Sequence, residues 1–146
     1  MNMIKIAKSS DDIIHCTEVM SALRPQLNKE NIGPIISGMM ERGYHLIFVE
    51  DDGIAVAAAG YRFTEHLHWG KAIYIDDLST LPVSRKRGYA RQLLDYIKNE
   101  ALKNHCAEVH LDSGSNPQRY EAHRLYIRYG FNITSHHFAL KLQQNF

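Results

Sequence analysis

Apolar positions along this chain switch between two spacings, and the switches mark out the elements. A short apolar run over residues 3–7 predicts a first strand. Ser9 or Ser10 can cap the helix that follows, in which Ile13, Cys16, Met20 and Leu23 recur at the helical period. Pro25 ends it. Ile32, Ile35, Ile36, Met39 and Met40 mark a second helix. Gly33-Pro34 leaves its start open, because proline fits the first turn of a helix and not its interior. Gly43 is a good stop.

The spacing then shortens. Leu46, Ile47, Phe48 and Val49 predict a strand over residues 44–50, and Asp51-Asp52-Gly53 is a hairpin turn signal. Residues 54–63 are the partner strand. Its small residues Ala55, Ala57, Ala58, Ala59 and Gly60 imply that something packs closely on it. A polar, histidine-bearing turn covers residues 65–70, another strand covers 71–81, and a basic loop covers 82–87. Residues 88–104 return to the helical period, with Ala90, Leu93, Leu94, Ile97 and Ala101 on one face. A short strand follows at 108–111. Residues 118–129 form a last helix with Ala122, Leu125, Tyr126 and Tyr129 on one side, and Gly130 closes it. Residues 131–142 are expected to supply one or two final strands. The order β-α-α-β-β-β-α-β-α-β predicts an α/β (α+β) fold, a mixed sheet with helices on both faces.

Composition narrows what such a fold can do. A length of 146 residues suits one domain spanning 1–146. A formal net charge of +1 is too balanced for a general nucleic-acid binder. No apolar run approaches the roughly 20 residues of a membrane span, and the first six residues do not read as a signal peptide. Cys16 and Cys106 match no metal spacing and read as buried thiols, which fits a reducing, cytoplasmic setting. The pairs His66/His68 and His136/His137 have no Cys or carboxylate at ligand spacing, so no metal is expected.

The segment Arg85-Lys86-Arg87-Gly88-Tyr89-Ala90 is a candidate phosphate-binding turn, and by itself it reads equally as a solvated basic loop with a glycine at a helix start. It joins a strand to the start of a helix. The first turn of a helix leaves amides unpaired, and the helix dipole adds about half a positive charge there. Gly88 opens the backbone to an anion, Ala90 keeps the next turn open, and the three cations add donors. The segment has neither the Gly-Lys-Ser/Thr of a Walker A loop nor the Gly-x-Gly-x-x-Gly of a dinucleotide fold.

In context, Leu78-Ser79-Thr80-Leu81-Pro82-x-x-Arg85-x-x-Gly88-x-Ala90 resembles motif A of the GNAT N-acetyltransferase superfamily. The block Ala122-His123-Arg124-Leu125-Tyr126-Ile127-Arg128-Tyr129-Gly130-Phe131 resembles its motif B. The two blocks fall in the family's order and at its separation, and the elements before them follow its pattern. Ala90 stands where Gly is commoner. The position of a frequent family Asn is Arg119 here, with Asn116 three residues earlier.

The resemblance implies a six- to seven-stranded, mostly antiparallel sheet that splays between its fourth and fifth strands, with acetyl-CoA in the opening. The pantetheine arm would pair with backbone of Leu78, Ser79 and Thr80. The pyrophosphate would sit on Arg85, Lys86, Arg87, Gly88, Tyr89 and Ala90, with Asn116, Arg119, His123 and Tyr126 also beside the cofactor. Transfer to a primary amine by direct attack requires a proton to leave the amine, an oxyanion to be held and a thiolate to be protonated. Tyr126 would be the acid, since an ordinary phenol keeps its proton to about pH 10. Asp76 and Asp77 interrupt an apolar strand beside the cofactor stretch and are candidates for the base or for substrate binding. Only one of the two can face the cleft on a regular strand, and the alternative is a carboxylate at a bulge paired with Arg62 or Lys71. Arg24, residues 27–30 and the turn of His66, His68 and Trp69 are candidates to border the acceptor pocket. The expected partner is a small-molecule or protein amine, with no nucleic acid, no membrane, and homodimerisation left open. One rival reading is a degenerate acyl-CoA sensor, and the other is a nucleic-acid-directed protein using residues 85–87, against which the near-zero net charge argues.

Overall fold

Ser9 starts the helical layer as the capping pattern requires. Its hydroxyl accepts from Asp12 N–H at 3.2 Å, and the Asp12 carboxylate accepts from Ser9 N–H at 3.2 Å. The predicted first helix is two pieces, α1 (Ser10–His15) and α2 (Thr17–Leu23), hinged at Cys16. Asn28 caps α3 (Lys29–Glu41), so Pro34 lies inside that helix rather than at its start. The computed structural model describes residues 4–143. The expected first strand begins one residue earlier, outside the described residues.

The contacts divide the chain into two compact units, Met1–Leu111 and Asp112–Phe146. In the first, β1 (Ile4–Ile6), β2 (His45–Asp51), β3 (Ile54–His66), β4 (Gly70–Thr80) and β5 (Glu108–Leu111) form one sheet in the order β1-β2-β3-β4-β5. The first four are antiparallel neighbours, and β5 runs parallel to β4 after the crossover helix α4 (Tyr89–Lys103). Asp52 and Gly53 both have positive φ (52° and 75°), as a two-residue primed hairpin turn demands. Alternation sorts the core. Leu46, Phe48 and Ala58 pack with Ile13, Val19, Met20, Ile32 and Ile36 of the first three helices. Ile47 and Val49, of opposite parity, are fully buried too, and Leu93, Leu94, Ile97 and Ala101 of α4 are buried where that helix packs on β2, β3 and β4. Both faces are covered, which is why β2 and β3 read as almost continuous apolar runs.

The second unit holds a 3-10 turn (Pro117–Arg119) and α5 (Tyr120–Tyr129). Gly130 ends α5 with φ 121°. Residues 131–143 form no strand, which corrects the expectation of one or two final strands and leaves five strands among the described residues in place of six or seven. Phe138, Leu140 and Leu142 do recur at every second position, with Ala139 and Lys141 between them, but all three are exposed. Alternation records a capacity for pairing, and a strand exists only where a hydrogen-bonding edge meets it.

Candidate active site

β4 outruns its neighbour β5. The β4–β5 pairing runs from Ala72↔Glu108 to Ile75↔Leu111 and stops there, while β4 continues through Asp76 to Thr80. On its other side β4 stays paired, with Leu78↔Ala59, Ser79↔Ala58 and Thr80↔Ala57. The stretch Leu78–Thr80 is therefore bonded to β3 along one edge and lies beyond the end of β5 along the other. Ser79 is buried and donates its hydroxyl to Val19 O at 2.8 Å, which ties α2 to this stretch.

After β4, a 3-10 turn (Pro82–Ser84) leads towards α4. Lys86 and Gly88 both lie in the left-handed region, at φ 66° and 83°. Gly88 caps α4 with no side-chain bond to the first-turn amides. A Cβ at Gly88 would meet nothing within 4 Å, so it is the backbone angle that demands glycine. Arg85 and Lys86 are exposed. Tyr89 and Arg87 turn the other way, towards the β2–β3 hairpin. The Tyr89 hydroxyl donates to Asp51 Oδ2 at 2.8 Å, and Arg87 Nη1 lies 3.7 Å from the same oxygen. The bond to Asp51 raises the Tyr89 phenol above its usual range.

Asp76 and Asp77 lie together at the floor of a cavity of about 400 Å³, also lined by Met20, Arg24, Leu27, Ile35, Ile36 and Tyr44. The strand rule that only one of them can face the cleft fails here for a local reason. Gly60 pairs with Asp77 and Tyr61 pairs with Ile75, so Asp76 is an extra residue in β4. Such a bulge breaks the alternation and re-aims a side chain. Asp77 accepts from Arg24 Nε at 3.0 Å and from the Tyr44 hydroxyl at 2.7 Å. Asp76 is paired with Arg62 through Nη2 at 2.7 Å and Nε at 3.1 Å, the bulge alternative with Arg62 and not Lys71. Arg24 Nη2 also donates to the Asp76 carbonyl at 3.0 Å, and the Arg62 guanidinium lies over the Tyr44 ring, 5.7 Å from its centroid. Burial first, and the charge of Asp77 second, push the Tyr44 phenol far up, so it serves as a fixed donor. The bond to Asp76 holds Arg62 above its ordinary value.

The turn of His66, His68 and Trp69 does not line this cavity. Its rings cluster together, and Trp69 stacks on His110 of β5 with centroids 3.5 Å apart.

Within the second unit, Asn116 precedes the 3-10 turn and its amide donates to Gln118 Oε1 at 2.7 Å. His123 Nε2 lies 2.8 Å from Gly114 O. The Phe131 amide donates to Tyr126 O at 2.9 Å across Gly130, and the Tyr126 and Phe131 rings meet edge to face, 5.9 Å apart. Burial pushes the Tyr126 phenol above its usual range, and the charge of Arg119 opposes that shift.

A family model described as "Acetyltransferase (GNAT) family" matches residues 16–131. The chain belongs to the GNAT acetyltransferase family. A Bacillus subtilis (strain 168) protein, described as the uncharacterized N-acetyltransferase YhdJ, is 31% identical over 137 residues, covering 92% of this chain and 95% of the relative. Among solved structures, the aminoglycoside N-acetyltransferase AAC(6')-Iy with a bisubstrate analogue superposes with a TM-score of 0.83 at 15% identity, over 99% of each chain. A ribosomal-protein-alanine N-acetyltransferase from Brucella melitensis gives 0.82 at 13% identity, over 98% of this chain and 100% of that one. At such identities the structures speak for the fold alone. As a GNAT member the chain is an acetyl-CoA-dependent N-acetyltransferase acting on an amine, and acetyl-CoA is its co-substrate. Among the described residues no cluster of His, Cys, Asp and Glu could hold a metal, and no helix is long and apolar enough to cross a membrane.

Two residues of this GNAT site were invisible in the sequence pattern. Tyr44 reads as a strand start, and only the small Gly60 opposite hints at a bulky neighbour. Asp51 reads as a turn former, and its second use, anchoring Tyr89 and Arg87, carries no local signal.

Proposed function

We propose that the enzyme moves the acetyl group of acetyl-CoA to a primary amine of a small molecule or protein by direct attack within a ternary complex. The observation that carries this reading is the run of β4 past the end of β5, from Asp76 to Thr80, leading to the glycine-initiated start of α4. The backbone of Leu78, Ser79 and Thr80 then holds the pantetheine arm. The amides at the start of α4, with Arg85, Lys86 and Gly88, hold the pyrophosphate. Arg87 and Tyr89 act on that site from behind, by fixing the turn to Asp51. Asn116, Arg119 and His123 complete the cofactor contacts, on the strength of the motif match.

The amine nitrogen attacks the thioester carbon, and an amide near Leu78 or Ser79 holds the oxyanion. The carbon–sulfur bond breaks, and Tyr126 protonates the departing thiolate. The raised phenol of Tyr126 supports the acid role, since it keeps the proton to be given. Asp76 and Asp77 are each committed to an arginine, which favours substrate positioning over proton abstraction. Water takes the amine's proton. Free-thiol release from acetyl-CoA across a panel of amines tests the reading, and tight cofactor binding with no release from any amine would favour the sensor instead. A cytoplasmic location and a homodimer belong to the same proposal, to be tested by fractionation and sedimentation.

A further inference from the structure

We infer that the cavity above Asp76 and Asp77 takes a small primary monoamine with an apolar body and discriminates against polycations. This rests on the N-acetyltransferase reading above and names its acceptor class.

The walls carry the first half of the argument. Met20, Leu27, Ile32, Ile35, Ile36 and Met39, from α2, α3 and the segment between them, present hydrocarbon and thioether, and Gln26, Tyr44 and Tyr74 add neutral polar groups. The volume of about 400 Å³ lies near the lower end of the range that small-molecule sites occupy.

The floor carries the second half. Its two carboxylates are each matched by a guanidinium, Asp77 by Arg24 and Asp76 by Arg62, so these four groups sum to no net charge. A polycation would bring several ammonium groups against apolar walls with no uncommitted carboxylate to receive them, and each desolvated charge is costly. A monoamine brings one nitrogen, which must be neutral to attack. A largely apolar pocket without net negative charge favours that neutral form, because burying an amine lowers its pKa. Such a pocket promotes deprotonation with no dedicated base. The orientation follows from the strand. Asp77 immediately precedes Leu78–Thr80, where the thioester arm is placed, so the nitrogen points to the floor and the apolar body lies against α2 and α3.

The test pairs turnover with binding. Thiol release is measured for phenethylamine and isoamylamine against spermidine, kanamycin and a peptide with a free N-terminus. Calorimetry of phenethylamine with the CoA-saturated protein reads binding apart from chemistry. The expected kcat/KM for phenethylamine exceeds those of the polycations by about ten-fold or more. Ile35→Asp puts a carboxylate on the wall at a position 43% exposed, where the fold tolerates it. It should lower kcat/KM for phenethylamine about ten-fold and shift preference towards spermidine, with the KM for acetyl-CoA unchanged. Preference for spermidine, kanamycin or the peptide, or an Ile35→Asp enzyme indifferent to the change, would overturn the acceptor class while leaving the enzyme reading intact. Calorimetric binding of phenethylamine without thiol release from any amine would support the cavity assignment and sink the catalytic reading.

Discussion

The ring of Tyr44 occupies the space that a side chain on Gly60 would need: a Cβ at Gly60 would fall within the envelope of Tyr44 Oη and Cζ. Gly60 pairs with Asp77 across the β3–β4 ladder, so the same missing side chain lets the Tyr44 hydroxyl reach Asp77 at 2.7 Å. Gly60→Ala should expel a ring that is 3% exposed and cost about 1–3 kcal/mol in urea unfolding. It should raise the KM for the amine, because Tyr44 and Asp77 both line the cavity. Unaltered stability would show that the ring moves aside freely.

Asp77→Asn keeps the shape and removes the charge that Arg24 and Tyr44 share. The expected loss of stability is about 1–3 kcal/mol, the scale of a hydrogen bond to a charged group. If Asp77 positions and does not abstract a proton, kcat falls modestly and the acidic limb of its pH profile stays in place. Disappearance of that limb in the Asn enzyme would assign Asp77 as the base.

Gly88 sits at φ 83°, where any other residue is strained. Gly88→Ala should cost about 1–2 kcal/mol and weaken acetyl-CoA binding. Gly88→Glu adds a negative charge at the helix start and should abolish binding with the circular dichroism spectrum retained. Equal calorimetric affinity for wild type and the Glu variant would remove the pyrophosphate from this turn.

Tyr126→Phe should lower kcat with little change in cofactor affinity. The sign of the pH dependence follows from burial. The phenol gives its proton only while protonated, and its pKa is raised, so kcat should hold through the usual tyrosine range near pH ~10 and fall only above it. A basic limb below that range would point to another group, and full activity of the Phe enzyme would dismiss the acid role.

Much of this was legible in one dimension because it depends on local physics. Ser9, Gly43, the Asp52-Gly53 turn, Gly88 and Gly130 act within a few residues of themselves, through caps and positive φ, and the chain spells them directly. The apolar periods of residues 46–49 and of α4 likewise announce which sides are buried. The motif around Arg85–Ala90 and the Tyr126–Phe131 block named the family for the same reason, since each is a spacing of residues within one stretch of chain. Tertiary structure alone decided what depends on residues far apart in sequence. The extra residue at Asp76 swings two neighbouring carboxylates into one cavity, and Arg24, 53 residues away, commits one of them. The slot that Gly60 leaves for Tyr44 is a relation between strands. The alternating residues of 138–142 stay unpaired because a strand needs a partner edge, which no run of side chains can supply by itself.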